Sequence, residues 1–318
     1  MHFRHSIFLF LALCVFPGSI LAAPGDARVV LLLSEEGGAY GEVADSFIAR
    51  TKQLAKKIPD IEVVRVDDAH LDQWHGAGAP QFAVTVGTRA AQVLFDAKAG
   101  VPTLRVLIAR NAHETLQLKA KETGIKTAAA AIYLEQPWDR QLDFVRRLLP
   151  KAQHLGAILG PASQHDAAEI TSTSMHYSIT PLLRVLAAQD DAGAIFKDIA
   201  EQSEVMLAVP DPAVLTPNSA KWLLFTAYQR GIPVIGFSKA YVSAGALGAV
   251  FSTPDQLGKQ AAEIAVNALQ DAAVDLGSAV YPKYFSVAIN RSVARSLRLE
   301  TPDDVELLRK LNAPEVPR

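Results

Sequence analysis

The chain has 318 residues, half of them hydrophobic and 20% charged, with 31 Lys and Arg set against 33 Asp and Glu. A net charge of −2 without a basic stripe argues against nucleic acid as a partner. A single cysteine, Cys14, excludes an internal disulfide, so the fold must rest on its apolar core.

The first residues carry an address. Met1 to Arg4 is a short basic start, and Ile7 to Phe16 is an apolar run too short to span a bilayer. Pro17-Gly18-Ser19 breaks it, and Ile20-Leu21-Ala22-Ala23 offers small residues for cleavage. This is the three-part layout of a secretory signal peptide over residues 1–22, with an uncleaved anchor as the alternative. Cleavage after Ala22 is favoured because a cut after Ala23 would abut Pro24. Leu11-Ala12-Leu13-Cys14 loosely resembles a lipobox, but Leu13 is bulky and the apolar run continues past Cys14, so lipidation is not expected. Removal of the segment leaves 296 residues with no cysteine and a net charge of −3, expected in the periplasm. No later run approaches the length of a membrane span.

Beyond it, short apolar runs recur: Val29 to Leu33, Glu62 to Val66, Phe82 to Val86, Leu104 to Ile108 and Ala128 to Tyr133. Leu155 to Leu159, Leu182 to Leu186, Val205 to Val209, Val234 to Gly236, Leu247 to Phe251 and Tyr284 to Ile289 follow. Most lack polar alternation, as strands covered on both faces do. Helical spacing separates them, as at Tyr40, Val43, Ala44, Phe47 and Ile48, and at Leu257, Ala261, Ile264 and Ala265. Thr253-Pro254-Asp255 and Thr301-Pro302-Asp303 mark helix starts.

About eleven strands exceed one short doubly wound sheet. The expected fold is α/β, with two doubly wound parallel-sheet lobes joined by a hinge. Crossings near Glu135-Gln136-Pro137 and Phe251-Ser252-Thr253 would divide the chain into lobe 1 (26–135 plus 253–318) and lobe 2 (136–252). The last helix, Asp303 to Leu311, would cap one lobe.

Several stretches carry a family likeness. They are Val84-Thr85-Val86-Gly87-Thr88-Arg89-Ala90-Ala91, Leu148 to Leu159, Arg230-Gly231-Ile232-Pro233-Val234-Ile235-Gly236 and Ser243-Ala244-Gly245-Ala246-Leu247. Leu257 to Ala262 and Ile289-Asn290-Arg291 complete the set. With these motifs the chain resembles the periplasmic substrate-binding proteins of ABC transporters, of the type I periplasmic-binding fold. The branch is the one that includes aromatic-amino-acid-binding members. Two places depart from it. Ile108-Ala109-Arg110-Asn111-Ala112 stands where relatives carry an Asp-Pro pair, and Tyr133-Leu134-Glu135-Gln136 replaces a Thr-Gly pair. Both fall where a ligand would sit, so ligand identity is not carried over.

Open parallel sheets bind ligands at the carboxyl ends of their strands, and helix N-termini there attract anions. Gly87 and Thr88 open a helix, with Thr88 a ligand contact or only an N-cap. Ser34 follows the first strand, and Tyr40 covers a ligand or merely starts the apolar face of its helix. Arg110 would pair with an anion or make a surface salt bridge. In lobe 2 the candidates are Gln136, Ser163, Asp211, Ser238 and Tyr241. Asp211 matches an aspartate of the relatives and would hold a ligand ammonium; otherwise the Asp-Pro pair only shapes its loop. Tyr241 stacks on a ligand or packs in the core.

Enzyme chemistry is not expected. Gly236-Phe237-Ser238-Lys239-Ala240 lacks the final glycine of a nucleophile elbow, and the last histidine, His176, precedes the serine. His113-Glu114 is followed by no second histidine at metal-binding spacing, and no phosphate-cradling Gly-x-x-x-x-Gly-Lys occurs. No cofactor is expected. The resemblance implies a monomeric binding protein that takes a small, possibly amino-acid-like ligand and partners a membrane permease with its ATPase. A sensory module reporting to a sensor kinase or outer-membrane receptor is the alternative.

Overall fold

The computed structural model describes residues 28–76, 79–187, 189–270 and 276–312. The expected signal peptide, with Cys14, lies outside them.

The chain first builds a five-stranded, wholly parallel sheet. Its strands are β1 (Arg28–Leu33), β2 (Asp60–Arg65), β3 (Phe82–Val86), β4 (Thr103–Ile108) and β5 (Ala129–Tyr133), in the order β2-β1-β3-β4-β5. Strands β1 and β3 are almost wholly buried because helices cover both faces, which is why their sequences show no alternation. Strand β2 is half exposed and stays at the edge. The helices between them are α1 (Gly38–Leu54), α2 (Thr88–Asp96) and α3 (Arg110–Glu122).

The chain then crosses to a second sheet of order β11-β10-β9-β8-β6-β7. It contains β6 (His154–Leu159), β7 (Thr180–Val185), β8 (Val205–Leu207), β9 (Val234–Gly236), β10 (Gly248–Phe251) and β11 (Ser286–Ile289). All pair in parallel except β11, which runs antiparallel to β10. Helices α4 (Trp138–Leu148), α5 (Ala167–His176), α6 (Ala192–Gln202), α7 (Pro217–Gln229) and α8 (Lys239–Ser243) accompany it. Both sheets are open and doubly wound, with chain order reversing between β1 and β3 in one and between β6 and β8 in the other.

Helix α9 (Pro254–Ala268) returns to the first sheet. A capping box of Thr253 and Gln256, with Pro254 at its start, fixes where it begins. Its Leu257, Ala261, Ala262 and Ala265 join Val43, Ala44 and Phe47 of α1 in one core. Gly258 sets the approach: a Cβ there would lie 2.5 Å from the Val43 carbonyl oxygen.

The final segment departs from the expected division. The expected division places residues 253–318 in the first lobe as a block, but β11 pairs with β10 in the second sheet. Phe285, Ile289, Ala294 of α10 (Arg291–Ser296) and Leu307 of α11 (Asp304–Asn312) share a core with Trp138, Leu142 and Phe144. The cause is the otherwise open edge of β10, which β11 pairs and removes from solvent. The chain thus passes between sheets three times, near 134–137, 251–253 and 281–285. Among the described residues no helix is long and apolar enough to cross a membrane.

Candidate functional site

The carboxyl ends of the two sheets meet. Arg110 opens α3 after β4, and its guanidinium pairs with Asp166 in the 3-10 turn after β6. It also lies 3.6 Å from Glu169 at the start of α5. The side chains of Arg110 and Asp166 are 19% and 12% exposed, so the pair is largely withdrawn from solvent. The adjacent Asn111 amide donates to the Ala162 carbonyl at 3.5 Å. His165 Nε2 stands 3.4 Å from Asp166. Arg110 therefore bridges the lobes.

The N-terminus of α3 is also engaged. Its N-cap, Ala109, has no side-chain acceptor, and the Arg110 backbone N–H donates to both oxygens of Glu135, at 3.1 and 3.0 Å. Glu135 comes from the first crossing and supplies negative charge where the helix dipole favours it. Burial nevertheless pushes its carboxyl above the usual range. Tyr133 and Tyr281 flank the same corner, their rings edge to face at 5.3 Å.

The N-terminus of α2 is built differently. Gly87 is its N-cap at φ 96°, a region L side chains avoid. A Cβ there would stand 2.4 Å from Ser34 Oγ and 2.6 Å from the Tyr40 ring. Ser34 Oγ accepts from the Ala90 N–H at 2.9 Å and so caps this helix from another strand end. Thr88 is the first helical residue, not the N-cap, and is exposed. The N–H groups of Thr88 and Arg89 donate to no group among the described residues. Ser34, Tyr40, Gly87 and Thr88 thus form one cluster.

In the second lobe Ser163 and Asp211 are together, but turned inward. Asp211 Oδ2 accepts from the Ala162 and Ser163 N–H groups and the Ser163 hydroxyl, at 3.0, 2.9 and 2.8 Å. Its Oδ1 accepts from Ala213 N–H at 2.9 Å, and the residue is 3% exposed. The reading of Asp211 as a holder of ligand ammonium gives way to the loop-shaping one, because these donors saturate the carboxylate. Ser238 caps α8, accepting from the Tyr241 N–H at 3.1 Å. Tyr241 is buried among Ile158, Val234 and Ala246, with its ring 5.0 Å from Phe237, and burial pushes its hydroxyl up to about 12.

Gln136 belongs to the crossings rather than to a ligand surface. Its amide donates to Ser252 Oγ at 2.9 Å, and Ser252 Oγ donates to the Tyr284 carbonyl at 2.6 Å. Arg140 donates to Gln136 Oε1 at 2.6 Å and to the Pro282 carbonyl at 2.9 Å. All three crossings are tied in one network. Among the described residues no cluster of His, Cys, Asp and Glu suits a metal ion. Asp166, Glu169 and Arg140 carry no signal in the sequence, whereas Glu135 and Ser252 lie in the two expected crossings and Glu135 also in a departure from the family pattern.

A family model described as ABC transporter substrate binding protein matches residues 76–310. The chain belongs to that family. Members are substrate-binding proteins, not enzymes. A curated relative, the tyrosine-binding protein of Clostridioides difficile (strain R20291), is 23% identical over 201 residues. The match covers 59% of this chain and 54% of that relative, so it spans about half the relative's length. Among solved structures, the ligand-free, open form of a substrate binding protein with adhesive properties from Clostridium difficile has a TM-score of 0.65 at 16% identity. The match covers 87% of this chain and 97% of that one. The ABC domain in complex with L-Trp from Streptococcus pneumonia has a TM-score of 0.59 at 14% identity, covering 90% and 98%. These likenesses speak for the fold, and with it for the two-sheet arrangement of a substrate binding protein.

Proposed function

We propose that this substrate binding protein works outside the cytoplasm, capturing a small amino-acid-like solute between its two lobes for an ABC importer. The observation that carries the reading is the meeting of the two strand-end surfaces, bridged by Arg110 with Asp166 and Glu169. Opposite charges on opposing lobes are what a zwitterion needs: a carboxylate for the cation, an ammonium for the acids. The free N–H groups at the start of α2 offer a second carboxylate seat, beside Thr88, Ser34 and Tyr40. Tyr133 and Tyr281 supply aromatic surface at the same corner. The tyrosine-binding relative and the L-Trp complex support an aromatic amino acid as the first class to test.

Closure by hinge motion would be the signal read by a permease. The test is calorimetry and thermal shift with L-tyrosine, L-tryptophan and the other amino acids. A ligand of the folded state at a hundred times its Kd adds about 2.7 kcal/mol and raises the melting temperature. Arg110→Ala and Thr88→Ala are expected to weaken that response at least tenfold. No response to any amino acid would overturn the proposed ligand class.

A further inference from the structure

A second polar site lies inside the first lobe, away from the interlobe cleft. Arg105 sits in the middle of β4, on the face covered by α2 and α3, and is 5% exposed. A guanidinium is always charged, and a buried one without an opposite charge is strongly unfavourable. Among the described residues no carboxylate pairs with it. Its hydrogen-bond partner is the imidazole of His113, with Nη1 3.3 Å from Nδ1. That ring is neutral: burial, then Arg105 itself, lowers its pKa to about 4. Burial alone lowers the pKa of Arg105, to about 10, with no acid acting against it. Arg105 Nε is fully buried and has no partner.

The surroundings are built for an occupant. In register with Arg105 stand Thr85 on β3, whose buried hydroxyl also lacks a partner, and the small Ala131 on β5. Arg105 lines a cavity of about 40 Å³ with Thr103, Gln117, Thr127, Ala129 and, at its exposed rim, Lys98. No acidic residue lines it. The volume admits an ion of one to a few atoms. Water would leave the charge of the guanidinium uncompensated; a small anion in the cavity offsets it.

We infer that the first lobe carries a structural site for a small monovalent anion of the halide type, held by Arg105 between α2 and α3. The site is independent of the cleft ligand. The experiment titrates sodium chloride and bromide against gluconate at constant ionic strength, following the melting temperature of the ligand-free protein. A saturable rise of several degrees with either halide, not matched by gluconate and lost in Arg105→Gln, is expected. Equal response to gluconate, or a halide response retained in Arg105→Gln, would overturn the inference. Bromide-soaked crystals of the unaltered protein provide a readout independent of the variant's folding. An anomalous peak beside the Arg105 guanidinium supports the site. Peaks confined to the cleft or the surface refute it.

Discussion

Asp211 and His113 illustrate two uses of a buried polar side chain. Asp211 accepts from the Ala162 and Ser163 N–H groups and the Ser163 hydroxyl of the loop after β6, tying it to the loop after β8. Asp211→Ala strands several N–H groups and is expected to cost about 2–4 kcal/mol, read as a lower urea midpoint. Ligand affinity should fall only as far as the loop loosens. His113 makes stability depend on pH. Its folded pKa, about 4, lies below the ordinary 6.5, so the unfolded chain binds a proton that the folded one refuses. The stabilisation is complete above pH 6.5 and is lost as pH falls towards 4, by roughly 2–3 kcal/mol. His113→Gln should flatten the stability profile across this window, as thermal melts at stepped pH would show.

At the scale of elements, two glycines fix how closely neighbours approach. Gly87→Ala forces an unfavourable φ and drives a methyl into Ser34 and Tyr40. A loss of about 1–3 kcal/mol, with a displaced start of α2, is expected from melts and a crystal structure. Gly258→Ala pushes a methyl against the backbone of α1 and should cost a similar amount. Much of this level was legible in the sequence. The uninterrupted runs at Val29–Leu33 and Phe82–Val86 are strands covered on both faces, and Thr253-Pro254 starts a helix. The home of Tyr284–Ile289 was not legible, because an apolar run does not name its pairing partner. Ser34, Gly87 and Arg110 follow strands and were visible as strand-end residues. Asp166 and Glu169 were not, since nothing local says that a neighbouring lobe brings a cation to them.

For the whole molecule, the contacts that join the two lobes rest on few groups. Arg110→Ala removes the principal bridge between the lobes and leaves Asp166 without its cation. The ligand-free protein should then shift towards an open form, seen as a larger radius of gyration in solution scattering, with little change in the secondary structure of either lobe. Ser252→Ala removes the second crossing's hydrogen bonds to the first and third. It should speed exchange between the two forms more than it shifts their populations, as relaxation-dispersion measurements would reveal.

The interleaved path also sets when each half can fold during synthesis. The first sheet is complete in sequence by Tyr133, yet α9, which shares its core, arrives some 120 residues later. The second sheet in turn waits for β11. Neither half completes its core until nearly the whole chain has been made. A polypeptide arranged in this way carries two unfinished cores through most of its translation, and both close within its last few dozen residues.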